Sequence, residues 1–253
     1  MMIPNSIDDV TPAWLSEILQ ADIKQIFPTQ IGQGVGLMGD IYRVEIHHTK
    51  PETNSLKSVV VKLPSSFEAN RAQGLALGMF QAEVRFYNEL ASRAPIGIPD
   101  VYYANINANS AEFVIVMEDL SHLTMVEQAV GMNVEQALAA VTVLAKIHAV
   151  WWDKVRLPEL EWIPSMISPR IEYVDQLLVQ AYPDFKAKFQ HSIPPEGMEI
   201  YKLFAGNYHG INSVIADRTP WTLAHQDYRV ENLMFGSSSS GTAIVLDLSL
   251  IHI

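Results

Sequence analysis

The chain has 253 residues, 49% of them apolar and 18% charged, with 28 acidic against 17 basic side chains. That length allows one large domain or two modest ones, and the apolar share suits a chain that buries a core, which excludes global disorder. A net charge of −11 argues against nucleic acid or an anionic membrane as the main partner, and the lack of cysteine excludes disulfide frameworks, zinc ribbons and thiol catalysis. The start, MMIPNSIDDVTPAW, has no basic region followed by an apolar stretch, so no secretory signal is expected. No run looks close to the ~18–20 apolar residues that span a bilayer. A cytoplasmic, soluble protein is the expectation.

Thr11-Pro12 reads as a cap with proline at the first helical position, opening a short helix through Leu19. Segments 22–31, 41–47 and 57–63 read as strands. Ile41-Tyr42-Arg43-Val44-Glu45-Ile46 alternates polar and apolar, and Val59-Val60-Val61 has the β-branched run of a more central strand. A helix follows at 79–92, with Phe80, Val84, Tyr87 and Leu90 on one stripe. Strands at 101–106 and 112–117 complete a mostly antiparallel sheet. Beyond Asn133, a plausible cap, the pattern becomes long helices at 134–151, 169–182 and 196–217. Two short strands, 231–235 and 242–247, flank the loop Gly236-Ser-Ser-Ser-Ser-Gly241. The expectation is an α+β chain with a β-rich lobe over 1–120 and a helical lobe over 121–247, joined near Glu118–Ser121.

Three signals carry chemistry. Gly34-Val35-Gly36-Leu37-Met38-Gly39 is a G-x-G-x-x-G, whose glycines let backbone N–H groups approach phosphates closely. A strand follows it rather than a helix, which favours a glycine-rich hairpin over ATP to a dinucleotide site. Taken alone, it reads equally well as a flexible turn. Lys62 ends Val59-Val60-Val61 and is expensive to bury unless paired. Glu83, at the start of the next helix, is the partner that kinase chemistry would supply for a lysine on the α- and β-phosphates.

The third signal is His225-Gln226-Asp227-Tyr228-Arg229-Val230-Glu231-Asn232, which fits H-x-D-x-x-x-x-N. Its aspartate orients a hydroxyl and accepts the proton, and its asparagine returns to hold Mg²⁺ beside the same phosphate. Asp247 follows fifteen residues later at a strand end, where a second metal carboxylate belongs. Arg229 either places a fixed charge near the transferring phosphate or pairs with Glu231. His148 and Trp151-Trp152 read as core packing on a long amphipathic helix, and His47-His48 as exposed.

With these residues the chain resembles the aminoglycoside phosphotransferase and choline-kinase-like superfamily, especially its ecdysteroid-kinase-like branch. The resemblance rests on Gly34–Gly39, Lys62, Glu83-Val-Arg-Phe-Tyr, Met117-Glu118-Asp119-Leu120, Leu144-Ala-Lys-Ile-His148 with Trp151-Trp152, and His225–Asn232. It implies a bilobal protein-kinase-like fold and ATP-dependent phosphorylation of a small-molecule alcohol. It also implies that backbone groups of Glu118 and Leu120 hold the adenine. Gln226 stands where regulated protein kinases usually carry arginine, and nothing resembles D-F-G or A-P-E, so a small-molecule kinase is favoured over a protein kinase. The alternative is a nucleotide-binding, kinase-like fragment without turnover.

Members of that superfamily continue past the metal aspartate into several helices, whereas six residues, Leu248-Ser249-Leu250-Ile251-His252-Ile253, follow Asp247 here. The helical lobe is therefore expected to be truncated. LSLIHI is also the in-frame reading of a widely used transposon adapter for sequencing libraries, CTG TCT CTT ATA CAC ATC, followed in one common version by TGA. Residues 248–253 are expected to be adapter-derived and not native. Resequencing the source DNA without that adapter checks this; a natural gene encoding LSLIHI and then a stop would refute it.

Overall fold

The computed structural model describes residues 2–32, 39–94, 97–107, 109–218, 220–236 and 243–247, and the backbone of 251–252. Its strands are β1 (Ile23–Ile31), β2 (Gly39–His48), β3 (Ser58–Pro64), β4 (Val101–Ile106), β5 (Phe113–Glu118), β6 (Thr124–Met125), β7 (Leu223–Ala224), β8 (Leu233–Phe235), β9 (Ala243–Val245) and β10 (Ile251–His252). Its α-helices are α1 (Pro12–Leu19), α2 (Glu68–Ala76), α3 (Met79–Arg85), α4 (Val134–Trp151), α5 (Pro169–Phe189), α6 (Pro195–Phe204) and α7 (Tyr208–Ala216). Contacts divide the chain into two compact units, Met1–Val150 with Asp227–Ser249, and Trp151–Gln226 with Leu250–Ile253. Contacts thus group the 227–247 segment with the N-terminal sheet, whereas the change of composition near Glu118–Ser121 separates them.

In the first unit, Thr11 Oγ1 accepts the Trp14 N–H at 3.2 Å, so α1 starts where cap and proline predict. Strands β1 to β5 form one antiparallel sheet in the order β1-β2-β3-β5-β4, with the valine-rich β3 at its centre. Val59, Val61 and Leu63 share a core with Val114 and Val116 of β5 and with Trp14 and Leu15 of α1. Lys62 alternates to the opposite face, the period of every strand. Phe80 of α3 stacks on Phe113 at 4.6 Å, so β5 is buried on both faces and reads as a continuous apolar run.

The helix expected over 79–92 is α3 followed by a π-helical turn, Phe86–Leu90, and a short 3₁₀ turn. Its stripe of Phe80, Val84, Tyr87 and Leu90 is buried throughout. Helix α2 was not expected, because its polar residues bury only Gly74. That glycine is required: a Cβ there would lie 2.2 Å from the Phe80 ring.

Asn133 caps α4 reciprocally, its Oδ1 accepting the Gln136 N–H at 2.8 Å while Gln136 Oε1 accepts the Asn133 N–H at 3.0 Å. Ala139, Ala140, Val143 and Ile147 are buried, while Val134, Leu138 and Val141 are exposed. Its 18 residues have the length and composition of a membrane span, which corrects the expectation that no run approaches one. One face of α4 packs, and Tyr228 donates its hydroxyl to the Ala140 carbonyl at 2.6 Å. Trp151 is fully buried but Trp152 is 53% exposed, so only one of the pair packs. His48 is half-buried, bonded to the Leu56 carbonyl at 2.7 Å, and only His47 is exposed as read.

In the second unit, α5 runs seven residues past its expected end at 182, straight through Pro183. An interior proline costs about 3 kcal/mol. Here Tyr182 and Phe185, on either side of it, both stack on Tyr201 of α6, and that packing offsets the lost bond. The single helix expected over 196–217 is α6 and α7, broken at Gly206, whose φ is +89°. Asp175 of α5 accepts the Gly206 and Tyr208 N–H groups at 2.8 and 3.2 Å, which satisfies the start of α7. Strand β10 pairs with β7.

Candidate active site

The site lies in the first unit and is built around Lys62. Its Nζ donates to Glu83 Oε2 at 2.7 Å and to Asp247 Oδ1 at 2.5 Å. The lysine and glutamate side chains are 9% and 6% exposed, and Asp247 is 43% exposed. Burial works against the Lys62 charge, but the two carboxylates outweigh it and hold the ammonium above the ordinary lysine range. Burial pushes the Glu83 carboxyl up to about 7 against the pull of Lys62. Asp247 sits two residues past β9 with φ +58°, a left-handed turn that aspartate tolerates.

A second cluster surrounds Asp227. A 3₁₀ turn over Val230–Asn232 folds the chain back, so Asn232 Nδ2 donates to the Asp227 carbonyl at 2.9 Å and to its Oδ2 at 3.0 Å. Strands β8 and β9 pair antiparallel, and the Leu246 N–H donates to the Asn232 carbonyl at 2.9 Å. The hairpin thereby brings Asn232 beside Leu246 and Asp247. Arg229 bonds Glu231 at 2.7 Å and lies 3.3 Å from Asp227 Oδ2, so its guanidinium is shared between the two acids. Pairing with Glu231 is one of the two roles the sequence left open.

A Mg²⁺ ion is implied by the motif, and the donor chemistry fits it. Asn232 donates through its amide nitrogen, which leaves Oδ1 as an acceptor, and Asp247 is a half-exposed carboxylate. These are hard oxygen donors of the kind Mg²⁺ takes one or two at a time, with phosphate and water completing its shell.

Gly34 and Gly36 lie outside the described residues. Gly39 opens β2, and a Cβ on it would come 2.8 Å from the Leu63 carbonyl oxygen. The close approach of β2 to β3 requires glycine there. Glu118 ends β5, its N–H donating to the Asp100 carbonyl at 2.8 Å, and the buried Leu120 accepts the Leu123 N–H at 2.8 Å. In the second unit, His225 is buried and Gln226, at φ +68°, accepts Arg170 Nη2 at 3.2 Å.

Sequence reasoning assigned nothing to Asp119. Its Oδ2 accepts Arg43 Nε at 2.7 Å and Ser58 Oγ at 2.5 Å, and its Oδ1 accepts the Ser121 N–H at 3.0 Å. Burial opposes its ionisation, but donation from Ser58 and Ser121 and the Arg43 guanidinium outweigh that and hold the carboxyl below the usual range. A depressed carboxyl contributes stability above its unfolded value of 3.8, lost as pH falls through the folded one. Asp119→Asn will therefore lower the thermal midpoint at pH 7, and the gap from wild type will close as pH falls below 3.8. Melting curves between pH 3 and 7 check it; a gap independent of pH would exclude the ionised carboxyl as its source.

Solved structures similar to this chain include aminoglycoside phosphotransferases. A mutant aminoglycoside 2′-phosphotransferase IIIa in complex with GDP matches with a TM-score of 0.56 at 13% identity, covering 94% of this chain and 70% of that one. A gentamicin complex of APH(2″)-IIa matches with a TM-score of 0.54 at 16% identity, over 100% of this chain and 73% of that one. A putative aminoglycoside phosphotransferase from Ralstonia eutropha matches with a TM-score of 0.50 at 16% identity, over 95% and 65%. No curated protein matches the chain. The fold is the α+β, bilobal kinase-like fold of these phosphotransferases. Residues 33–252 match the ecdysteroid kinase-like family, and the chain belongs to it.

Proposed function

We propose that the protein is an ATP-dependent phosphotransferase that phosphorylates a hydroxyl group of a small molecule. The observation that carries this reading is the buried Lys62, held between Glu83 and Asp247. An ammonium has three N–H donors, and two are committed among the described residues, which leaves the third for a phosphate oxygen. In the reaction, a substrate oxygen attacks the γ-phosphorus, a new P–O bond forms, and the bond to the β-phosphate oxygen breaks to release ADP. The hydroxyl proton passes to the Asp227 carboxylate, which Asn232 orients through its 3.0 Å bond. Arg229 keeps a fixed positive charge beside that carboxylate. Asn232 and Asp247 would hold Mg²⁺, which neutralises phosphate charge when bound. Glu118 and Leu120 would receive the adenine by their backbone. The structural neighbours hold GDP in one case and gentamicin in another, which supports a nucleotide and a small molecule as ligand classes.

ADP release from ATP, screened against aminoglycosides, choline-like alcohols, sterols and sugars, tests the proposal. Acceleration by one alcohol class supports it. ATP binding with no acceleration by any alcohol assigns the protein instead to nucleotide binding without turnover. ATP affinity should also fall at least about tenfold when divalent cations are chelated, because Asn232 and Asp247 then leave the phosphates unneutralised. Calorimetry giving equal affinity with and without chelator would remove both residues from the metal site.

A further inference from the structure

We propose that Asp119 is the positioning residue that fixes how the protein receives the adenine edge, an inference that rests on the nucleotide reading above. Asp119 stands between Glu118 and Leu120, whose backbone groups are the adenine contacts of that reading. One carboxylate oxygen accepts the Ser121 N–H at 3.0 Å, two residues on, which closes a turn across Leu120. The Leu123 N–H, bonded to the Leu120 carbonyl at 2.8 Å, closes the next turn. Together these bonds set the direction of the Leu120 N–H.

A turn bonded only within itself could still pivot about the end of β5. The second carboxylate oxygen prevents this. It accepts Arg43 Nε of β2 at 2.7 Å and Ser58 Oγ of β3 at 2.5 Å, so the turn is fixed to two further strands of the sheet. The Asp119 side chain is 8% exposed, and bonds to a buried carboxylate are stronger than neutral ones. Hydrogen bonds weaken steeply with misalignment, so a base read by backbone groups depends on such an anchor. A backbone carbonyl and N–H in fixed order match the donor and acceptor of the adenine edge. Guanine presents the reverse order. Loosening the turn should therefore weaken ATP binding and lower the ratio of ATP to GTP affinity, while contacts to the triphosphate remain.

The experiment measures the affinity of the 253-residue protein for ATP, GTP and magnesium tripolyphosphate, by displacement of a fluorescent ATP analogue. Asp119→Ala should raise the ATP dissociation constant about tenfold, the worth of one well-aligned hydrogen bond, and lower the ATP-to-GTP ratio. Tripolyphosphate affinity should stay within about twofold, since no phosphate contact is touched. Asp119→Asn keeps an acceptor for Ser121 and should fall between the two. The paired variant Arg43→Met with Ser58→Ala removes both donors without altering the turn, and carries the test if Asp119→Ala does not fold; it should shift the ratio the same way. Lys62→Ala should do the opposite, weakening tripolyphosphate while leaving the ATP-to-GTP ratio unchanged. An unchanged ratio in the variants, or equal losses for all three ligands, overturns the role of Asp119 and leaves the nucleotide reading standing. A wild-type protein that binds none of the three overturns both.

Discussion

Replacing Asp227 with alanine will abolish phosphoryl transfer while leaving ATP affinity within a few-fold of wild type. The carboxylate acts on the acceptor hydroxyl and not on the nucleotide, and its contacts include Asn232 and Arg229. General-base groups contribute roughly 10²–10⁴ in rate, so the loss should lie in that range and reside in kcat. Steady-state kinetics with the best alcohol, together with ATP binding by calorimetry, separate the two quantities. Wild-type turnover in the alanine variant would remove Asp227 from the mechanism.

The second large effect belongs to the buried pair. Lys62→Ala leaves Glu83 buried without its cation, an arrangement that costs about 3–5 kcal/mol of stability. It also removes the donor meant for the α- and β-phosphates, so turnover should fall together with stability. Glu83→Ala should act in the same direction but more weakly, because Lys62 keeps the half-exposed Asp247 as a partner. The double variant should lose much less than the sum of the singles. Chemical denaturation of the four proteins measures the coupling. Strict additivity would mean that the 2.7 Å contact contributes nothing to the fold.

Local patterns made most of this molecule legible. The capped start of α1, the valine run of β3 and the stripe of α3 each announce themselves within a dozen residues, because period and cap chemistry are local. Lys62 and Glu83 could be read as partners because an unpaired lysine in an apolar strand is costly and because the H-x-D-x-x-x-x-N motif brings in kinase chemistry. What escaped the sequence was set by packing between distant segments. Asp119 meets Arg43 and Ser58 across 76 and 61 residues, and no period connects them. The passage of α5 through Pro183 depends on a tyrosine in the next helix. The exposed helix α2 has too little apolar surface to announce itself, and its one buried residue is a glycine.

The two contacts of Lys62 also differ in when they can form. Glu83 lies 21 residues away along the chain and Asp247 lies 185 away. Closing the longer loop costs about 2 kcal/mol more in chain entropy, by the logarithmic growth of that cost with length. The Lys62–Glu83 pair can therefore assemble with the sheet while the chain is still being made. Asp247 joins only after the intervening helices have been synthesised. On the ribosome, the nascent protein first holds a half-built site, a lysine with one acid, and the group that completes it emerges 185 residues after the lysine.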